Sequence, residues 1–177
     1  MNIYPSFTNI RSYLSHEFLT LRAHARRDSL WAKLMGRDTK LAVFPEEAPE
    51  KSPNRRFLGV QDIPVNEIVG TINRQRDFDH QFRPLNKSLR DRWVNVHLTL
   101  QSSGWDPILV HKVGENYYVE DGHHRVSVAQ KLRMTLISAK VWEYPCQVHE
   151  QKRCEPEPCP ELSSMRHMRE WQTKSTT

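Results

Sequence analysis

The sequence lacks the features of secreted and membrane-embedded proteins. Its 177 residues include three cysteines, an odd and small number that argues against a disulfide framework and favours a reducing compartment. No apolar run approaches the roughly 18 residues that a membrane-spanning helix needs. The N-terminal residues MNIYPSFTNIRSYL hold no basic stretch followed by an apolar block, so we expect no secretory signal. These absences predict a cytoplasmic protein without a membrane partner.

Apolar residues are also scarce, at 37 % of the chain against 27 % charged residues. This fraction is below the average of globular domains, so part of the chain is expected to lie outside a core. The length fits one domain with an appendage. Shifts in composition divide the chain into a basic helical segment (1–40), a proline-containing linker (41–56), a domain (57–145) and a polar, proline-rich tail (146–177).

The positive charge is concentrated near the N-terminus. The chain carries 26 Lys and Arg against 21 Asp and Glu. Residues 1–40 have a net charge of +4, whereas residues 57–145 have only +1. Residues 7–35 also repeat apolar side chains at helical spacing, namely Ile10, Leu14, Phe18, Leu21, Leu30 and Leu34. This pattern predicts one or two amphipathic helices that either pack on the domain or contact nucleic acid or a partner through their basic face.

The domain alternates short strands with helices. The β-rich stretches are 57–63, 107–112, 117–120 and 135–142. The helical stretches are 86–100, which ends at Ser103-Gly104, and 126–132. Residues 65–69 read as a turn or short helix, and the polar stretch 70–83 reads as irregular. The order strand, helix, hairpin, turn, helix, strand predicts an α+β fold, a small mixed β-sheet with packed helices.

The segment Asp121-Gly122-His123-His124-Arg125 carries the strongest chemical signal. It lies between a predicted strand and a predicted helix, where Gly122 allows a sharp turn and the close approach of a ligand. The free N–H groups and the dipole of the helix start favour anions. Arg125 adds a bidentate phosphate donor, and His123 and His124 add further donors. The alternative is that Asp121 is only the N-cap and the histidines are surface residues.

This segment resembles the ParB/sulfiredoxin-like superfamily, in which a strand runs into a GxxR turn that binds nucleotide phosphates. Two upstream segments resemble the same superfamily. Residues 104–110 are similar to its glycine-x-x-proline strand, and residues 60–68 to its opening strand with a Pro-x-x-x-Ile turn. The three segments occur in the superfamily's order and extend over about residues 57–145, half of the chain.

The variants within the superfamily narrow the expected function. ParB proteins carry a GERR-type box and a downstream helix-turn-helix domain, and we expect no room for that domain after residue 145. Sulfiredoxins carry a cysteine where this chain has His123, so their thiol chemistry is not expected. The DGHHR form resembles the superfamily's free-serine kinases and also occurs in uncharacterised ParB-like proteins. The resemblance therefore implies nucleotide binding more than kinase activity.

The resemblance implies ATP, CTP or ADP as the nucleotide, with Mg²⁺, and an ATP- or ADP-dependent phosphotransfer to a small molecule as one activity. The phosphates of that nucleotide would lie at Gly122, His123, His124 and Arg125. Asp121 is a candidate for the metal or the base, and Glu67 lies near where the superfamily's kinases keep a catalytic acid. The polar loop 70–83 is dense in Arg and Asp, and we single out Arg74 and Asp77 there as binding residues.

Other functions remain open at this point. A non-enzymatic, ParB-like DNA-associated adaptor or regulator would bind DNA through residues 1–40 and use the nucleotide as a switch. A ParB-like nuclease is disfavoured because the sequence shows no clustered acidic metal site. In the tail, Cys146, His149, Cys154 and Cys159 lack the usual Cys-x2-Cys pair, which favours a polar tail over a zinc site. The sequence leaves the oligomeric state open.

Overall fold

Helices and strands alternate through residues 10–45 and 55–144, the part of the chain that the computed structural model describes. The helices are α1 (Ile10–Leu34), α2 (Arg90–Ser102) and α3 (His123–Lys131). The strands are β1 (Ala42–Val43), β2 (Arg56–Pro64), β3 (Ile68–Thr71), β4 (Ile108–Val113), β5 (Asn116–Asp121) and β6 (Leu136–Tyr144). Short 3₁₀ turns span Val65–Glu67 and Lys87–Leu89. We call residues 72–86 the connecting loop.

The six strands form one mixed sheet in the order β1-β3-β5-β4-β6-β2. β1 pairs with β3, β3 with β5 and β4 with β6 in parallel, whereas β4 pairs with β5 and β2 with β6 antiparallel. The predicted hairpin is therefore β4–β5, joined at Gly114-Glu115. This arrangement confirms the predicted α+β class with a small mixed sheet.

One face of the sheet packs against α3 and part of the connecting loop. Its core is aliphatic and aromatic and comprises, among others, Ile108, Val110, Val119, Val126, Ala129, Val141, Phe78 and Phe82. A second cluster joins α1 to α2 and α3 through Leu14, Phe18, Trp93 and Val128. Trp93 is fully buried, and its indole N–H donates to Ser127 Oγ at 3.1 Å, which fixes α2 against α3. α3 is thereby held between the sheet and the outer helices.

The predicted amphipathic N-terminal helix is confirmed as α1, and only its first half packs as expected. Leu14, Phe18 and Ala25 are buried. Leu30 and Leu34, which were expected to extend this apolar face, are exposed. The reason is geometric, because the step of nine residues from Leu21 to Leu30 makes about two and a half helical turns and places Leu30 and Leu34 on the side away from the packed face.

Three parts of the secondary structure differ from the prediction. Residues 68–71 form a strand, although their short polar surroundings suggested a turn followed by irregular structure; their pairing with β5 supplies the hydrogen bonds. Ala42 and Val43, assigned to the linker, pair with β3, and Phe44 packs against Tyr118 on the other face of the sheet. The start of the helix predicted over 86–100 is a 3₁₀ turn at Lys87–Leu89, and α2 itself begins at Arg90.

The division of the chain into four segments stays a prediction. The predicted tail and its cysteines lie outside the described residues. Among the helices of residues 10–45 and 55–144, no stretch combines the length and hydropathy needed to cross a membrane.

Candidate functional site

The turn between β5 and α3 is sharp because of Gly122. Its φ of 108° is left-handed, a conformation that side chains disfavour. A Cβ atom on Gly122 would lie only 2.8 Å from Ile108 Cβ and still closer to Ile108 Cγ2. Gly122 is also the N-terminal cap of α3. The predicted strand–turn–helix geometry is thus confirmed, and any larger residue at position 122 would displace the turn from the sheet.

The N-terminus of α3 opens at this turn. The first N–H groups of a helix have no carbonyl partner within it and carry the positive end of the helix dipole. Among the described residues no side chain caps this end, and the Asp121 carboxylate binds Arg125 instead. The alternative in which Asp121 is the N-cap is therefore wrong. The uncapped N–H groups remain available for an anion.

Arg125 is tied to its surroundings by three hydrogen bonds. Its Nη1 donates to the carbonyl oxygens of Asp106 at 2.6 Å and Pro107 at 3.2 Å, and its Nη2 donates to Asp121 Oδ2 at 2.6 Å. The first two bonds hold the chain entering β4 against α3. Arg125 therefore has a structural role in addition to the phosphate contact predicted for it, and Asp121 neutralises part of its charge.

His123 connects the turn to the connecting loop. Its Nε2 lies 2.6 Å from the buried Thr71 Oγ1, which already accepts the N–H groups of Asn73 and Arg74. The Thr71 hydroxyl also lies 3.4 Å from the Val119 carbonyl oxygen, to which it can donate, so the contact with Nε2 is compatible with either tautomer of neutral His123. Burial, together with the positive charge of Arg74, lowers the pKa of His123 to about 4.

His124 is neutral for the same reason. Burial, with contributions from Arg92 and Arg74, lowers the pKa of His124 to about 4. Its Nδ1 is buried and has no hydrogen-bond partner within the part of the chain that the structure describes. The ring meets Phe78 edge-on at 5.4 Å. Neither histidine is a surface residue or a cation at neutral pH, so both offer hydrogen bonds without charge.

The turn forms one wall of a cleft of about 200 Å³. The opposite wall comes from the start of α2 and from the connecting loop. The lining residues are Arg74, Phe78, Ser88, Leu89, Arg92, Val96, Asp121, Gly122, His123, His124 and Arg125. Three arginines from three separate elements therefore surround a cleft in which the lining supplies a single carboxylate.

Sequence reasoning missed Ser88 and Arg92. They lie four residues apart, so they share one face of the helical segment, which is the available sequence signal. That face turns toward α3 through the packing of α2 on α3, to which the contact of Trp93 with Ser127 and Val128 contributes.

Arg74, by contrast, was predicted and does line the cleft. It pairs with Asp77 Oδ2 at 3.0 Å, and Asp77 Oδ1 accepts a hydrogen bond from Asn86 at 2.8 Å. Asp77 is thus brought beside the cleft through Arg74 and does not line it.

Glu67 is not brought to the turn. It precedes Ile68, which is level with Tyr117 near the start of β5. Asp121 lies four residues farther along β5, or about 13 Å at the rise of a strand. The predicted pair of catalytic acids is therefore separated by the parallel register, and Glu67 has no part in the site we describe.

The cleft's donor set suits a metal ion only in a limited way. Within residues 10–45 and 55–144, no group of three metal-ligating side chains lies together. Mg²⁺ is commonly held by one or two carboxylates together with the substrate's phosphates. The single carboxylate of Asp121 fits that pattern, in which the phosphates carry most of the coordination.

The chain is similar to a solved structure of sulfiredoxin from Arabidopsis thaliana. The two are 23 % identical over a match that covers 48 % of this chain and 85 % of the sulfiredoxin chain, with a TM-score of 0.37. No protein-family model and no curated protein matches the chain. A similarity this distant decides neither family nor function, and the α+β class rests on the elements described above.

Proposed function

We propose that this protein binds a nucleotide and holds its phosphates at the Gly122–Arg125 turn. The observation that carries the proposal is the convergence of Arg74, Arg92 and Arg125 on the uncapped N-terminus of α3. Helix N–H groups and guanidinium groups are the two donors that proteins use most for phosphate. The resemblance of the DGHHR segment to nucleotide-binding turns points to the same ligand class.

The surroundings of the turn support a ligand with several phosphate oxygens. The three guanidinium groups outweigh the carboxylates of Asp121 and of Asp77, which pairs with Arg74, so the surroundings keep a net positive charge that favours an anion. The neutral histidines add donors at no cost in charge. Leu89 and Val96 supply an apolar part of the lining, which suits the less polar end of a nucleotide.

The test is calorimetric titration of the full chain with ATP, ADP and CTP, with and without Mg²⁺. Arg92→Ala is the informative variant because Arg92 is exposed and lines the cleft. We expect micromolar binding that weakens about tenfold or more, since a charge-assisted hydrogen bond contributes about 1.5–3 kcal/mol. Arg90→Ala, two residues away on the same helix, removes the same charge outside the lining and serves as the control.

Three results would contradict the proposal: no binding of any of the three nucleotides, equal weakening in both variants, or no weakening in Arg92→Ala. Arg125→Ala is a poorer test, because it also removes the bonds to the Asp106 and Pro107 carbonyls. The preferred base would separate an ATP-dependent enzyme from a CTP-dependent switch.

Phosphotransfer from ATP or ADP to a small molecule is the second candidate, and Asp121 is the residue that favours it. Its carboxylate is exposed at the cleft and next to the proposed phosphate site, where it can accept a proton from an attacking hydroxyl. The test is ³¹P NMR of ATP incubated with the protein and free serine or other small alcohols. Transfer that is lost in Asp121→Asn while nucleotide binding persists would support it, and binding without transfer would leave a nucleotide-binding protein.

A further inference from the structure

An exposed apolar patch lies at the end of α1, away from the cleft. The four most exposed large apolar side chains of residues 10–45 and 55–144 are Leu30, Trp31, Leu34 and Met35, with 60 % to 77 % of each accessible. All four lie within six residues of the chain. We call them the α1 stripe. Single exposed apolar residues are common on protein surfaces, but a contiguous cluster of large ones marks a contact surface.

The α1 stripe is on the side of the helix opposite its packed face. Phe18 and Ala25 face the helices of the domain. At about 100° per residue, Leu30, Trp31 and Leu34 point about 120°, 140° and 160° away from Phe18, and Met35 directly follows the end of the helix. The stripe is therefore not a frayed edge of the core cluster. It is a second apolar surface on the same helix, directed into solvent.

A basic groove adjoins the α1 stripe. It has a volume of about 340 Å³, lies between α1 and residues 85–86, and is lined by Arg22, Arg26, Lys33 and Leu30, among others. Arg22 Nε donates a hydrogen bond to the Leu85 carbonyl oxygen at 2.9 Å. Arg26 and Lys33 are exposed and form no ion pair with the described residues. Leu30 belongs to both the stripe and the groove, so apolar and basic surface are continuous.

We propose that the α1 stripe and the basic groove together dock a partner protein whose own surface is an apolar cleft with an acidic rim. The convex helix inserts Trp31 and Leu34 into that cleft, as amphipathic helices do in helix-in-groove complexes. Carboxylates on the rim then enter the basic groove and pair with Arg26 and Lys33. Because the groove is positively charged, the rim of the partner's cleft must be negatively charged. Because the exposed side chains of the stripe are apolar and protrude, the partner's surface must be apolar and concave.

Duplex DNA, a second copy of this chain and an anionic membrane each fit this surface less well than such a protein. Duplex DNA would pair with the cations but leave four large apolar side chains without apolar contact. A second copy of the same surface would bring like charges together. For an anionic membrane the stripe is short, about 9 Å of helix, and the same side of α1 is polar farther toward the N-terminus, at His16, Thr20 and His24.

The experiment places a photo-reactive benzoylphenylalanine at position 31 of the full-length protein in the cells that express it. The control protein carries the same group at position 57, because Phe57 is an exposed aromatic residue on β2. We expect a protein cross-link from position 31 and none to the same protein from position 57. The cross-linked peptide of the partner is identified by mass spectrometry, and the proposal requires it to contain Asp or Glu next to apolar residues.

Charge supplies the second arm of the test. In Arg26→Ala/Lys33→Ala the cross-link from position 31 should fall about tenfold. Arg76→Ala/Lys140→Ala removes two exposed charges elsewhere and should leave it unchanged. The thermal midpoint should move by less than 2 °C in either variant, because none of these side chains is in the core. Cross-links to lipid, to nucleic acid, to another copy of this chain or to nothing would each overturn the proposal.

Discussion

Arg74 and Arg83 lie near the two ends of the connecting loop, and each is paired with an aspartate of that loop. Their surroundings differ. Arg83 is 13 % exposed and binds Asp79 Oδ2 at 2.7 Å and Asp28 Oδ2 at 2.7 Å. Arg74 is 53 % exposed and pairs only with Asp77 among the described residues. One arginine is enclosed by two carboxylates, and the other keeps donors free toward the cleft.

The difference shows that burial separates a structural arginine from a binding one. Asp79 is buried, and its Oδ1 also accepts the N–H groups of Gln81 and Arg83. Asp28 brings α1 into the same network. Burial alone would lower the pKa of Arg83, but its hydrogen bonds to Asp28 and Asp79 outweigh that effect and raise the pKa. The far end of the loop is thus clamped, and the near end presents Arg74 at the cleft.

The largest expected effect is the loss of this clamp in Asp79→Asn. The substitution leaves the Arg83 guanidinium, which is mostly buried, without one of its two carboxylates. Breaking a buried pair from one side costs about 3–5 kcal/mol of unfolding free energy. Urea unfolding measures it. Asp77→Asn is the matched control, because Asp77 pairs with the exposed Arg74, and it should cost less than about 1 kcal/mol. Similar losses of unfolding free energy in the two variants would contradict the conclusion that Arg83 is structural and Arg74 is not.

The parts of the fold that were predictable are those with strong local signals. The periodicity of Leu89, Trp93, Val96 and Leu100 predicts α2, and the glycine-containing turn at 114–116 predicts the hairpin. β1 and β3 were missed because they have two and four residues, too few for a periodic pattern. Both strands depend on parallel pairing with distant residues, which the local sequence does not predict.

The candidate site divides in the same way. The turn was predictable because glycine, helix start and arginine are adjacent in the chain. Arg92 and Ser88 were not, since 30 and 34 positions separate them from Gly122 and only the packing of α2 on α3 brings them there. That Glu67 lies away from the turn was not predictable for the corresponding reason, because the register of β3 and β5 is a tertiary property. The charges of His123 and His124 likewise depend on burial that the sequence does not display.

The next largest effect for a single side chain is the pH dependence of stability that follows from the burial of His123 and His124. The pKa values of His123 and His124 are lowered to about 4 in the folded protein, against 6.5 for an ordinary histidine. Between those values the unfolded chain binds more protons than the folded one. Stability should therefore fall as the pH drops from about 6.5 to about 4, by at most about 1.4 kcal/mol per pH unit for each histidine.

Urea midpoints measured from pH 4 to pH 8 test this dependence. His124→Gln keeps a polar side chain and cannot be protonated, so its stability should depend less steeply on pH than that of the native protein. His80→Gln is the control, because His80 lies exposed in the connecting loop. An unchanged pH profile in His124→Gln would show that His124 titrates alike in the folded and unfolded chains.

A smaller effect is expected at the open end of the loop. Arg74→Ala should weaken nucleotide binding three- to tenfold and change the unfolding free energy by less than about 0.5 kcal/mol, because Arg74 is an exposed half of a surface pair. Arg76→Ala removes an exposed arginine that does not line the cleft and should bind normally. Calorimetry and urea unfolding of both variants separate the two properties. A stability loss in Arg74→Ala as large as that in Asp79→Asn would place Arg74 with Arg83 as a structural residue.

The smallest expected effect distinguishes Asp121 from the carboxylates of the clamp. Asp28 and Asp79 stabilise the buried Arg83 that they bind. Asp121 is 64 % exposed, and it binds Arg125, a residue that also contacts the phosphates in the proposed complex. Asp121→Asn should therefore strengthen nucleotide binding without Mg²⁺ by about three- to fivefold, since it removes a negative charge beside the anion. With Mg²⁺ the gain should shrink, because the native carboxylate then contributes to the metal. Asp106→Asn, whose side chain is not part of the cleft lining, is the control for an added amide near the turn. Weaker binding of Asp121→Asn in the absence of metal would mean that the Asp121–Arg125 pair holds the turn in its binding shape and does not compete with the ligand.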